Sequence, residues 1–251
     1  MGLKTIIENA RASNATALDL NEQGLKHLPA ELLEVESLTR LNLAHNRLTD
    51  VSENIVRLKN LEMLTVFGNK LGELPKTING IRTLKFLTAS HNFIYELPQG
   101  FGSCPSLVFL DMSCNQLKEL SPNFGFLTTL RSLHLSDNHL ETLPAEIGKL
   151  TQLATLVLCN NDLTSLPDEI GNLQSLKYCL LQGNKLKSLP KSFATIPLES
   201  EGSVLKLYKN PWYPFLADIL EDNNVQAFLD VMRSDSYQDK VKEAEAKKSK
   251  K

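Results

Sequence analysis

Five histidines and four cysteines are the side chains of this 251-residue chain best suited to nucleophilic or metal chemistry. Cys104, Cys114, Cys159 and Cys179 form no C-x-x-C pair and do not cluster. Neither a disulfide framework nor a zinc site is expected from them. Cys104 and Cys179 fall where other parts of the chain carry leucine, and read as small core residues. His27, His45, His91, His134 and His139 are scattered. His45 and His91 hold equivalent positions at a separation of roughly 10 Å by strand stacking, too far to share a metal. Asp111 and His134 come closest to a base–carboxylate pair, and a rim ion pair is expected of them rather than a catalytic dyad. The chain has no G-x-x-x-x-G-K-[ST], G-x-G-x-x-G, H-E-x-x-H or G-x-S-x-G. No catalytic residue, metal site or cofactor is expected, and the chain reads as a non-enzyme.

The elements that position these residues follow from asparagine. Asn46, Asn69, Asn92, Asn115, Asn138, Asn161 and Asn184 stand 23 residues apart, Gln23 precedes them in phase, and Asn210 follows. Around each runs L-x-x-L-x-L-x-x-N-x-L, the leucine-rich repeat signature. The alternating x-L-x-L-x piece is a short strand with one face buried. Stacked copies make a parallel sheet on a concave face. The second half of each unit, L-P-x-x-(I/F)-x-x-(L/I), places a short 3₁₀ or helical turn on the convex face, because proline blocks helix propagation from the strand side. The fold class is therefore an α/β leucine-rich repeat solenoid with helical caps. Side chains of Asn46, Asn69, Asn92, Asn115, Asn138, Asn161, Asn184 and Asn210 should form a structural ladder, each bonding the turns above and below.

Function must lie in the residues between the leucines. Positions six, four and two before each Asn face the concave side. Met63, Phe67, Phe86 and Phe109 come from three consecutive units and should form one apolar patch. Val157, Tyr178 and Leu180 should form a second. Thr65, Thr88, Asp111, Ser113, His134, Ser136 and Asp137 lie around and between them. Aromatic anchors with a polar rim resemble interface hot spots. The expected protein-binding set is Met63, Phe67, Phe86, Phe109, Asp111, His134, Ser136, Asp137 and Tyr178.

Composition agrees with this frame. Leucine makes up about 19% of the chain, with one Trp and a net charge of −2. No apolar run reaches the roughly 20 residues of a membrane span, so no integral membrane segment is expected. The first ten residues are too polar for a signal peptide, and a reducing cytoplasmic setting is expected. Residues 1–14 read as an N-terminal capping helix, 15–212 as about nine repeats, and 213–238 as a C-terminal helical cap. Residues 239–251 read as a basic, disordered tail. Its alternative role is weak contact with acidic lipid. Outside Lys240–Lys251 the chain carries 21 basic against 27 acidic residues, so nucleic acid is not an expected partner.

L-P-x-x-I-G-x-L over Leu143–Leu150 and Leu166–Leu173 resembles the intracellular Ras-group repeats. The likeness sharpens outside the repeats. Leu3-Lys4 with Ile6-Ile7-Glu8, Leu127-Thr128-Thr129-Leu130-Arg131, Leu135-Ser136-Asp137-Asn138, and above all Asn210-Pro211-Trp212 with Ala217-Asp218 and Arg233-Ser234, are similar to the Ras-suppressor family. The regular spacing from Asn115 to Asn138 and the short tail depart from it. The resemblance implies a cytoplasmic scaffold at cell-adhesion or cytoskeletal sites that binds a LIM domain of a PINCH-type adaptor. It also implies a role in Ras-pathway signalling, and it gives Phe67, Asp111, Ser136 and Asp137 weight as shared positions. The alternative is a regulatory subunit or inhibitor holding a small GTPase or a protein phosphatase.

Overall fold

A computed structural model describes residues 2–221 and 224–248. Nine three-residue strands follow one another in a single parallel sheet, in chain order. They are β1 (Ala17–Asp19), β2 (Arg40–Asn42), β3 (Met63–Thr65), β4 (Phe86–Thr88), β5 (Phe109–Asp111), β6 (Ser132–His134), β7 (Thr155–Val157), β8 (Tyr178–Leu180) and β9 (Val204–Lys206). Strand pairing repeats the sequence period, so Leu41 faces Leu64, Leu64 faces Leu87 and Leu87 faces Leu110. These central leucines are buried, and their neighbours point to the other face. Chemically alike side chains therefore stack in columns across the sheet.

The convex side carries one 3₁₀ turn per unit, as expected. Most start after a proline, whose φ near −65° suits the entry. Where Ser52 or Ser121 takes that place, its hydroxyl accepts from the backbone N–H two residues on. Gly102, Gly125, Gly148 and Gly171 recur once per unit inside these turns. A methyl group on any of them would strike the carbonyl of the next turn; on Gly125 it would sit 2.6 Å from Glu146 O. Backbone thus touches backbone across this part of the convex face.

The ladder asparagines are buried except Asn210. Asn138 Nδ2 donates to Met112 O at 3.0 Å and Leu135 O at 3.1 Å, while its Oδ1 accepts from Leu117 N at 2.9 Å. Asn46, Asn69 and Asn184 repeat the pattern. The bonds do not run above and below. Each side chain serves its own strand end and the preceding unit, with none to the following unit. Gln23, with no unit before it, is exposed and donates to Asn21 O instead.

Helix α1 (Leu3–Ala12) covers the first unit with Ile7 and Ala10. After β9, α2 (Pro214–Glu221) and α3 (Val225–Arg233) cover the last, and Phe228, Leu229 and Met232 are buried there. Trp212 Nε1 donates to Leu207 O at 2.9 Å, and its ring meets Phe228 edge-on. The expectation of a disordered tail from 239 fails up to Lys248, because α4 spans Tyr237–Lys248. Two causes are visible. The segment is rich in Ala, Glu and Lys, which favour helix. Its first residue is also anchored: Tyr237 is buried, and its hydroxyl donates to Leu189 O at 2.7 Å and accepts from Leu189 N at 3.2 Å. Residues 249–251 lie outside the described part. Among the described residues no helix is long and apolar enough to cross a membrane.

Candidate functional site

Strand register brings the first aromatic column together. Met63, Phe86 and Phe109 are direct neighbours across β3, β4 and β5. Met63 is 37% and Phe86 38% exposed, large fractions for such side chains. The Phe86 and Phe109 rings lie 6.5 Å apart, and Phe109 lies 5.3 Å from the His134 ring one strand on. An apolar row therefore crosses three strands, and the His134 imidazole extends it onto a fourth. Thr65 and Thr88 form the polar column beside it.

Phe67 belongs to a separate line at the strand-exit edge. Its ring stands edge-on between His45, at 4.8 Å, and His91, at 5.0 Å. Spacing had aligned the two histidines without showing that a phenyl ring separates them. Their backbones are left-handed (φ 52° and 55°), as is the residue before most ladder asparagines. Small or polar residues carry that conformation at a cost of roughly 1–2 kcal/mol each relative to glycine.

Asp111 and His134 face each other in register, yet they form no ion pair. Asp111 accepts from Ser90 Oγ at 2.7 Å and from Ser113 N at 2.9 Å. His134 Nε2 lies 2.9 Å from Ser132 Oγ. Burial holds the His134 imidazole below its ordinary pKa, with Asp111 pulling the other way. Local hydroxyl and amide groups have taken the partners that the expected pair would have supplied. Asp137 Oδ1 accepts from Asn160 Nδ2 at 2.9 Å, and Ser136 O accepts from Cys114 N.

Tyr178 is 45% exposed beside Val157 and Leu180 on the neighbouring strand pair, but Ser132 and Thr155 separate it from Phe109. The residues expected to bind a partner thus divide into a main ribbon, a His–Phe–His edge and a distant tyrosine. A shallow hollow of ≈ 300 Å³ opens beside Met63, with Ala17, Asp19, Arg40, Asn42 and Thr65 around it.

The thiols are poor nucleophiles. Burial pushes Cys104 up to about 11 and Cys179 up to about 12. Cys114 and Cys159 are also raised, first by burial. Among the described residues no group of three or more His, Cys, Asp or Glu comes together to hold a metal. Three exposed aromatics lie off the concave face and escaped the sequence reading: Phe93, Tyr95 and Phe126. Phe126 sits on a convex turn with Lys149 Nζ 5.7 Å from its ring centre. Columns drawn through the loops as well as the strands would have shown all three.

Two families match the chain: a leucine-rich repeat region over residues 103–197 and a leucine rich repeat over residues 13–71. Among solved structures it is similar to a leucine-rich repeat protein of Leptospira interrogans, at 31% identity and a TM-score of 0.64, covering 82% of this chain and 57% of that one. It is also similar to the ectodomain of the plant membrane receptor kinase GASSHO1/SCHENGEN3 from Arabidopsis thaliana in complex with CASPARIAN STRIP INTEGRITY FACTOR 2. That match has 31% identity and a TM-score of 0.62, with 73% of this chain and 25% of that one covered. A complex of PEPR1 with AtPEP1 matches at 28% identity and TM-score 0.63, covering 73% and 26%. The chain spans just over half of the first of these proteins and about a quarter of the others. No curated protein matches it.

Proposed function

Because this chain is a leucine-rich repeat protein, we propose that it is a non-enzymatic scaffold that binds a folded protein through its concave face. The observation that carries this is the Met63–Phe86–Phe109–His134 ribbon, open to solvent at Met63 and Phe86 and half-buried at Phe109 and His134. Soluble proteins seldom expose such a row without a partner. One of the similar structures is, by its description, a receptor kinase ectodomain in complex with CASPARIAN STRIP INTEGRITY FACTOR 2, which supports a binding role for the fold.

The partner we favour is a LIM domain of a PINCH-type adaptor, with a cytoplasmic place at cell adhesions, similar to Ras suppressor protein 1. Support for this finer reading is the Asn210-Pro211-Trp212 cap with its Trp212–Leu207 bond. The test uses Met63→Asp with Phe86→Asp, because both side chains are open and their loss should leave the thermal midpoint nearly unchanged. Capture of the adaptor should fall about 30-fold or more, the scale of one hot-spot residue. Undiminished capture overturns the concave-face reading. Co-purification of a small GTPase or a phosphatase subunit in place of a LIM adaptor overturns the partner.

A further inference from the structure

The apolar ribbon is not surrounded by a neutral rim. Arg40 stands next to Met63 in strand register. Lys59 and Arg82 lie on the turns that lead into β3 and β4, and Arg47 and Lys70 directly follow Asn46 and Asn69 at the other edge. All five are exposed, and none is ion-paired among the described residues. Glu36 lies 3.9 Å from Arg57, Glu62 lies 2.9 Å from Lys85, and Glu53 caps the following turn through Lys76 N and Thr77 N. Asp19, across the hollow from Met63, accepts from Asn21 N and Asn42 Nδ2, and the five cations outnumber it.

At the other end of the ribbon two carboxylates face one exposed cation, Arg131, which directly precedes β6. Asp111 and Asp137 accept hydrogen bonds from neutral groups only. Both charges act on Cys114, whose thiol they help to raise after burial, so their fields overlap at one spot. Uncompensated charges beside a desolvated apolar surface select partners by sign and orient them on approach. They act within a Debye length of roughly 8–10 Å, about two strands of this sheet.

We infer that the segment docking on this face is itself divided in charge along the solenoid axis. It carries acidic side chains around an apolar anchor over β2–β4, and a lysine or arginine over Asp111 and Asp137. This rests on the concave-face reading above. The hollow beside Met63 receives the apolar anchor, and the neighbouring carboxylates meet Arg40 and the cations of the rim, away from Asp19. The sign change fixes which way along the stacked strands the partner runs.

Three labelled synthetic peptides with one shared leucine–phenylalanine centre test this by fluorescence anisotropy on the full chain. One carries glutamates on one flank and lysines on the other, one only glutamates, one only lysines. The divided peptide should bind about tenfold tighter than either of the others at low salt, and the advantage should shrink as salt rises. Arg40→Gln with Arg82→Gln should weaken the divided and glutamate peptides and spare the lysine one. Asp111→Asn with Asp137→Asn should weaken the divided and lysine peptides and spare the glutamate one. A single-sign peptide that matches the divided one overturns the charge division and leaves the docking face standing. Failure of all three to bind, or binding that survives Met63→Asp with Phe86→Asp, overturns both.

Discussion

A ladder asparagine uses nearly every polar site it has. Asn138 satisfies one amide of the preceding unit and shares two strand-end carbonyls with its neighbours. Met112 O also accepts from Asn115, and Leu135 O also accepts from Asn161. Each carbonyl is thus a joint between two asparagines. Asn138→Ala would leave Leu117 N buried without a partner and remove two donors, while both carbonyls keep one bond. The expected cost is about 3 kcal/mol in urea unfolding: roughly 1–3 for the orphaned amide and the rest for the lost bonds. A loss under about 1 kcal/mol would show that water replaces the side chain. Asn210, half-exposed at the end of the ladder, should cost less when replaced in the same way.

Among elements, the strands owe their order to the period, but four of the convex turns owe their close packing to glycine. Gly148→Ala would drive its methyl group into Glu169 O, in backbone that cannot rotate away. A loss of about 1–3 kcal/mol is expected, the usual cost of overpacking. Gly72→Ala, which meets nothing within 4 Å, should change stability little. Equal effects at the two sites would mean that the turns can slide apart. Element types and register were legible because period two and period 23 are carried by leucine itself. Met63, Phe86 and Phe109 were placed side by side for that reason alone. What stayed hidden depends on choices among short-range partners. Asp111 could bond His134 or Ser90 and Ser113, and spacing does not rank them. Phe67 could lie flat or stand between two imidazoles. The segment after Ser236 is polar enough for a free tail, and only the long-range bond from Tyr237 to Leu189 ties it down.

At the scale of the molecule, stability is close to a sum over units and their interfaces. Removing residues 139–161 would take out one full period. It would bring Gly125 against Glu169 and Asn184 against Leu135 O, contacts equivalent to those lost. The shortened chain should fold, keep its strand circular dichroism per residue, and still bind whatever the Met63–Phe109 ribbon binds, with a lower urea midpoint. A deletion of 139–158, out of phase, should not fold. If both fold alike, the ladder does not set the register. The ladder also has a direction, since every asparagine reaches back toward earlier chain. During synthesis, that means each unit meets a finished acceptor as it emerges. At ribosomal speeds a unit of this length takes roughly 1–5 s to appear, far longer than a short loop needs to close. The molecule is therefore wired to be laid down from its N-terminus, one course at a time, like masonry in which every stone is pinned to the one beneath it.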